Sequence, residues 1–367
     1  MTTELTFRFV TEDEPADGWR SIVDHGWPGW RSWYRARGGR EGPDAVACRM
    51  ALAKYMPGIG PLVDSLVEAA GGDEEMARFL SFWSPPRYLV NCTQLATCDR
   101  EGPLLIRNYD LDPRLNETTM LRSRWLGRGV IGMVEGLLGL SDGMNDRGLA
   151  ISLTFGGRVV RGRGFGIPLI IRYLLETCDA VRDAVDELRR LPCHMSYNVT
   201  LGDASGDVAT VMLSPDRPPM VSKAPWAANH QLGVEWPRHG RMTRTLERAE
   251  RLDRLMSRGA VDAATLERTF LSEPVYSGRY ANGFGTVFTT IYRPATGTVK
   301  VRWLKGVAET WDFESAPPRP IRVYYREGSS RAFRREANRT TARHVTTDRE
   351  ANLEGVASTS REGGTRQ

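Results

Sequence analysis

Cys92, Arg107 and Asp110 are the residues of this chain whose types and spacing can do chemistry together. Two strand-like runs, residues 88–96 and 104–108, flank a turn signalled by residues 99–103, which is the pattern of a hairpin. Cys92 lies in the first strand, and Arg107 and Asp110 lie at the end of the second. Pairing the strands brings a thiol, a guanidinium and a carboxylate close to one another. A thiol attacks as its thiolate, and a nearby cation lowers the pKa at which that forms. A carboxylate beside it can hold an ammonium group. No His lies near in sequence, so this stretch does not offer a Cys–His pair. A lone strand Cys is more often an inert core residue, so the rest of the chain has to decide.

The elements that would position these residues follow from the whole chain. At 367 residues it is long enough for one large domain or two ordinary ones. Hydrophobic and charged fractions of 41% and 26% are those of a soluble globular protein. No apolar run is long enough to span a bilayer, and the first residues lack the apolar core of an export signal. A cytoplasmic location, with no membrane partner, is the default expectation. The five Cys (48, 92, 98, 178, 193) have no metal-like spacing, and without an export signal they point to free thiols. No metal or prosthetic group is expected. The net charge of +5 is modest and carried mostly by Arg, several of them near the C-terminus, which argues against a nucleic-acid surface.

Residues 1–91 read as a segment of their own. A short strand at 5–10 leads to an aromatic cluster at 27–34, and helices are expected over 43–55, 62–70 and 73–83. Residues 131–157 read as apolar strands about a turn built from Asp142, Gly143, Asn145 and Gly148. Helices follow over 169–178 and 180–191. Residues 195–213 form a further hairpin with Asn198 in mid-strand, where a buried amide must find partners or cost roughly 1–3 kcal/mol. His230, within Asn229-His230-Gln231, reads as a hydrogen-bonded structural His. A long charged helix is expected over 241–257 and a closing hairpin over 284–303. From about residue 329 the composition predicts disorder. The pattern as a whole is α+β.

Five motifs, in order over about residues 86–315, resemble the aminopenicillanate acyltransferase family of autoproteolytic Cys hydrolases. They are Asn-Cys-Thr at 91–93, Ile-Arg-Asn-Tyr-Asp at 106–110, Asp-Gly-Met-Asn at 142–145, the strand around Asn198, and Asn-His-Gln at 229–231. That family is part of the N-terminal-nucleophile superfamily, with the bile-salt hydrolases and penicillin V acylases. The resemblance implies a four-layer αββα sandwich of two mostly antiparallel sheets. It divides the chain into a pro-segment (1–91), a catalytic domain (92–328) and a tail (329–367). It further implies self-cleavage between Asn91 and Cys92, after which the α-amine of Cys92 serves as base for its thiol.

Site roles carried over by the resemblance give Asp110 the α-amine and Arg107 the thiolate or a substrate carboxylate. Asn198 and the backbone near Thr154 form the oxyanion hole, and Arg244 reaches the site from its helix. The implied reaction is acyl transfer from a linear amide or acyl thioester through a Cys92 thioester, to water or an amine. Acyl-CoA is admitted as a co-substrate, and the oligomeric state is left open. Asn91 stands where the aminopenicillanate acyltransferases have Gly, which eases the strained backbone of an N-to-S acyl shift. A catalytically silent scaffold is the alternative; a nucleic-acid binder lacks any recognition signature.

Overall fold

The computed structural model describes residues 2–259, 261–303 and 306–326. In chain order, the N-terminal part runs β1 (Thr2–Glu12), α1 (Asp17–Ala36), α2 (Ala45–Tyr55), α3 (Ile59–Ala69) and α4 (Glu74–Leu80). Strands β2 (Asn91–Asp99), β3 (Gly102–Leu111), β4 (Thr119–Ser123), β5 (Val130–Glu135), β6 (Gly139–Asn145) and β7 (Leu149–Phe155) follow. Then come α5 (Ile167–Thr177), α6 (Val181–Arg190), β8 (Tyr197–Asp203), β9 (Val208–Ser214), β10 (Arg217–Ser222) and β11 (Trp226–Ala227). The rest comprises α7 (Pro237–Thr243), α8 (Thr245–Met256), α9 (Ala263–Phe270), β12 (Gly278–Arg279), β13 (Phe284–Arg293), β14 (Thr298–Arg302), β15 (Ala308–Trp311) and β16 (Ile321–Arg326).

Local sequence explains several of these boundaries. Asp44, Asp73 and Asp262 each accept a backbone N–H three residues on and so cap α2, α4 and α9. Pro168 stands in the first turn of α5, where its missing N–H costs nothing. The aromatic cluster belongs to the second half of α1, a helix that Pro28 in its interior conceals from a reading of the sequence. The expected helix over 241–257 is two helices, because Arg244 adopts φ +54° between α7 and α8.

Two open sheets make the body of the fold. The first has the order β10-β9-β8-β7-β6-β5-β4-β1-β16; the second has the order β11-β2-β3-β13-β14-β15, with β12 paired to β13. Neighbouring strands are antiparallel except for β1 beside β4. The inner face of β2 meets β7 and β8 of the first sheet: Gln94 Nε2 donates to Asn198 O, and Ser152 Oγ donates to Gln94 Oε1. Helix α5 packs on β6 and β7, on the outside of the first sheet. Outside the second sheet, Leu252 and Leu255 of α8 and Leu266 and Phe270 of α9 bury against Leu95, Leu104, Ile106 and Ile291. The layers run helix, sheet, sheet, helix. Among the described residues no helix is long and apolar enough to cross a membrane.

Met1–Arg326 form one compact unit, and the segment read as separate, 1–91, is woven into it. Strand β1 lies between β4 and β16 in the first sheet. Its Phe7, 1% exposed, packs edge-on to Phe288 of β13 and against Trp303. The tail expected from 329 on lies outside the described residues. If β1 is part of the common core, Phe7→Ala should destabilise the whole unit by roughly 3–5 kcal/mol. Chemical denaturation followed by tryptophan fluorescence measures this, and an unchanged midpoint would show that the segment folds apart from the sheets.

Candidate active site

The hairpin of β2 and β3 sets the site. Cys92 is paired with Tyr109, Gln94 with Arg107 and Asn91 with Asp110. Because side chains alternate along a strand, Arg107 and Tyr109 face the space between the sheets while Asn108 and Asp110 face the helices. Arg107 Nη2 donates to Cys92 Sγ at 2.9 Å. Its Nε donates to Leu153 O, its Nη1 donates to Ser141 Oγ, and Nη1 also lies 3.4 Å from Asp142 Oδ1. The guanidinium lies over the Tyr109 ring, 4.8 Å from its centroid. Burial works against the charge of Arg107, but Cys92, Asp142 and Tyr109 outweigh it and hold the group firmly protonated.

Asp142 therefore does more than shape a turn. It lies inside β6 with Gly143, and the turn itself is at 146–148. Asn145 caps that turn by accepting from the N–H groups of Arg147 and Leu149. Asp142 accepts from Ser141 Oγ and Thr290 Oγ1 and is the countercharge of Arg107.

Asp110 sits across the sheet from Arg107 rather than beside it. Its Oδ2 accepts from Arg248 Nη1 and its Oδ1 from Thr286 Oγ1. Arg248 Nη1 also donates to Thr93 Oγ1, next to Cys92 in the chain, at 3.0 Å. This buried pair corrects the expectation for Arg244. Arg244 pairs instead with Glu273 at 2.9 Å, its side chain 31% exposed, and Arg248, one turn into α8, reaches the site. The left-handed backbone at Arg244 turns α8 so that residue 248 faces the sheet.

Asn198 and Thr154, opposite one another on β8 and β7, converge on a single loop. Asn198 Nδ2 donates to Ala228 O, His230 O and Thr154 Oγ1, and Thr154 Oγ1 donates to Ala228 O. The Asn198 amino group and the Thr154 hydroxyl hold the carbonyls of residues 228 and 230, while Asn198 Oδ1 is buried with no partner. The residue they hold is Asn229, whose Oδ1 accepts the Cys92 N–H at 3.0 Å. Its Nδ2 is buried with no partner. A preorganised amide donor next to a nucleophile is the element an oxyanion hole requires. The sequence singled out Asn229-His230-Gln231, but the only guide from Asn198 to Asn229 was that motif. His230 is structural: Nδ1 lies 2.8 Å from Thr245 Oγ1.

Cys92 itself is fully buried, and burial pushes its thiol up to about 12. Arg107 pulls the other way, and Asp110 adds to the rise. A polar cluster of Tyr88, Tyr109 and Glu135 continues inward from Arg107, and burial together with Glu117 pushes Glu135 up to about 8.

Residues 97–306 match the family of acyl-coenzyme A:6-aminopenicillanic acid acyl-transferase, over more than half of the chain. The chain belongs to that family. The matched stretch begins beyond Cys92 and includes Arg107, Asp110, Asn229 and Arg248. Among solved structures, the chain is similar to a mutant conjugated bile acid hydrolase from Clostridium perfringens (11% identity, TM-score 0.42, covering 60% of this chain and 92% of that one). It is also similar to penicillin V acylase from Agrobacterium tumefaciens (15%, 0.43, 60% and 86%). A third is the Caenorhabditis elegans ortholog of N-acylethanolamine-hydrolyzing acid amidase (17%, 0.41, 56% and 93%). At such identities and scores these likenesses say nothing of this chain's chemistry. No curated protein matches significantly.

The two arginines of this acyl-transferase family member separate cleanly by experiment. Arg248→Ala leaves Asp110 buried and unpaired and should cost roughly 3–5 kcal/mol. Arg244→Ala, at a partly exposed pair, should stay within about 1 kcal/mol of the parent. Urea titration of both variants gives the comparison, and equal losses would remove Arg248 from its assigned place.

Proposed function

We propose that this protein is a cysteine amidohydrolase or acyltransferase whose nucleophile, Cys92, is activated once the Asn91–Cys92 bond is cut. Membership of the acyl-transferase family supports the reaction class. The observation that carries the residue assignment is the arrangement around Cys92: thiol on Arg107, N–H on Asn229, and the second arm of Asn229 unpaired.

In the uncut chain the nitrogen of Cys92 is an amide and cannot take a proton. Once freed it is an α-amine, with an ordinary pKa of about 8, well matched to accepting the thiol proton near neutral pH. Arg107 offsets the thiolate charge. The thiolate attacks the carbonyl of a linear amide or acyl thioester, and Asn229 Nδ2 donates to the developing oxyanion. Collapse expels the amine or thiol, protonated by the α-ammonium group, and leaves an acyl-Cys92 thioester. Water or an amine acceptor then takes the acyl group, with the α-amine again as base. Asp110, anchored by Arg248 and Thr286, holds the electrostatics at the head of β2 on the side of the amine. Tyr88, Tyr109 and Glu135 line the direction in which polar atoms of a substrate would lie. The chemistry calls on no metal or prosthetic group, and acyl-CoA is a candidate acyl donor.

Cutting at Asn91 does not release residues 1–91, because β1 remains hydrogen-bonded to β4 and β16. Purified protein should therefore run as one species on native size exclusion and as two fragments, divided at 91/92, by denaturing intact-mass analysis. The larger fragment should gain an acyl group on Cys92 when quenched during turnover. Asn229→Ala should lower turnover by roughly 10²–10³-fold. An active protein whose chain stays whole, or whose acyl group sits elsewhere, would defeat this reading.

A further inference from the structure

Between the two sheets, inward of Arg107, lie three polar atoms that the rest of the protein does not answer. Tyr88 Oη, Tyr109 Oη and Glu135 Oε2 are buried, and among the described residues none has a hydrogen-bond partner. The three groups are near enough to shift one another's ionisation, and the Glu135 carboxyl also acts on Arg107 and Cys92. Protein interiors leave few polar side-chain atoms unpaired, and three together need a cause.

The cluster is held in place from every side. Glu135 closes β5, and the turn after it is left-handed at both Gly136 (φ +69°) and Leu137 (φ +66°). For Leu137 that backbone is strained, and it persists because the Glu117 carboxylate accepts both N–H groups. The Tyr109 ring is clamped between Phe288, stacked at 5.1 Å, and the Arg107 guanidinium. Tyr88 precedes Cys92 in the chain, yet its ring lies against Trp30 and Trp33 and its carbonyl accepts from Tyr197 Oη. Fixed unpaired groups beside a nucleophile select substrates, because a site built to bond a polar group rejects the analogue that lacks it.

Charge narrows the ligand class. Arg107 is already answered by Asp142, whereas Glu135 has a second carboxylate, Glu117, as its neighbour and among the described residues no ion pair of its own. A neutral acyl chain would leave all three polar atoms as they are. A cation would supply Glu135 with a countercharge and the two hydroxyls with N–H donors.

We infer that Glu135, with Tyr88 and Tyr109, binds a protonated amine carried by the acyl group, so that the substrates are aminoacyl compounds rather than plain aliphatic or aromatic ones. The inference rests on the proposed acylation of Cys92 and names its substrate class. On binding, Glu135 gives its proton to solvent, and the ammonium keeps its three protons and donates them to the carboxylate and the hydroxyls.

The test gives the purified protein glycyl, β-alanyl and γ-aminobutyryl p-nitroanilides and their propanoyl, butanoyl and pentanoyl counterparts, in which methyl replaces ammonium. Acylation of Cys92 is followed by quenched intact mass, and release by nitroaniline absorbance. The best aminoacyl substrate should exceed its counterpart in kcat/KM by roughly 10–10²-fold. Burial and Glu117 push Glu135 up to about 8, so this ratio should fall as pH drops from about 8 to about 6, where Glu135 keeps its proton against the ammonium. Glu117, pushed up to about 7, moves the ratio in the same direction, whereas Arg107 and the α-amine of Cys92 act on both series alike. Glu135→Gln should bring the ratio close to one at every pH, and Tyr109→Phe should lower it in part. Equal rates for the two series, or a preference that Glu135→Gln retains, overturns the inference and leaves the proposed function standing. A protein that takes no acyl group on Cys92 from either series removes both.

Discussion

The structure is built to keep one positive charge, that of Arg107, in a fully buried place between two sheets. An isolated guanidinium there would be prohibitively costly, so the surroundings have to answer it. They do so with a carboxylate (Asp142), a hydroxyl (Ser141), a backbone carbonyl (Leu153), an aromatic face (Tyr109) and the thiol of Cys92. These partners come from four strands of two sheets. The pairing register of β2 with β3 and the packing of sheet on sheet are therefore both tied to the same charge. A slip of one residue in β3 would turn Arg107 toward the helices and expose Asp110 to the interior.

A second charge pair governs the opposite face of the same hairpin. Asp110 and Arg248 lie on the helix side, with Thr93 and Thr286 completing the set. The head of β2 thus stands between a cationic group on its inner face and an ion pair on its outer face. The loop at 228–230 closes the arrangement in the plane of the strand. Asn198 and Thr154 fix its carbonyls, which leaves Asn229 with one arm on the Cys92 nitrogen and one arm free. Division of labour follows from the number of bonds an amide can make: Asn198 spends its donors on the loop, and Asn229 keeps one.

The hairpin, the Cys92–Arg107 contact and most helices were legible because they depend on short-range pattern. Strand alternation, Asp caps and turn residues are local signals. What failed to show in the sequence depends on a single backbone angle or on which of two similar residues spends its donors. Arg244 and Arg248 are equivalent on a helical wheel to within one turn, and only the left-handed Arg244 decides between them. Asp142 was read as a turn former because Asp-Gly favours turns, whereas the buried Arg107 needs it in the strand. Asp110 and Arg107, three apart on a strand, were placed together although odd spacing puts them on opposite faces.

The weave of β1 into the first sheet constrains how any cut at Asn91 can act. A pro-segment that merely capped the site could leave and expose it. Here departure would strip β4 and β16 of a shared neighbour and open the Phe7–Phe288–Trp303 contact between the sheets. Opening of the site must therefore be local, at the new chain ends. Asn91 and Val90 are buried beside Cys92; Asn91 is paired with Asp110 and hydrogen-bonded to His239, and Val90 packs in the core. Were that bond cut, the end at Asn91 could move without disturbing β1 only by giving up its pairing with Asp110 and its contact with His239, and the space it left would adjoin Cys92 and the unpaired arm of Asn229.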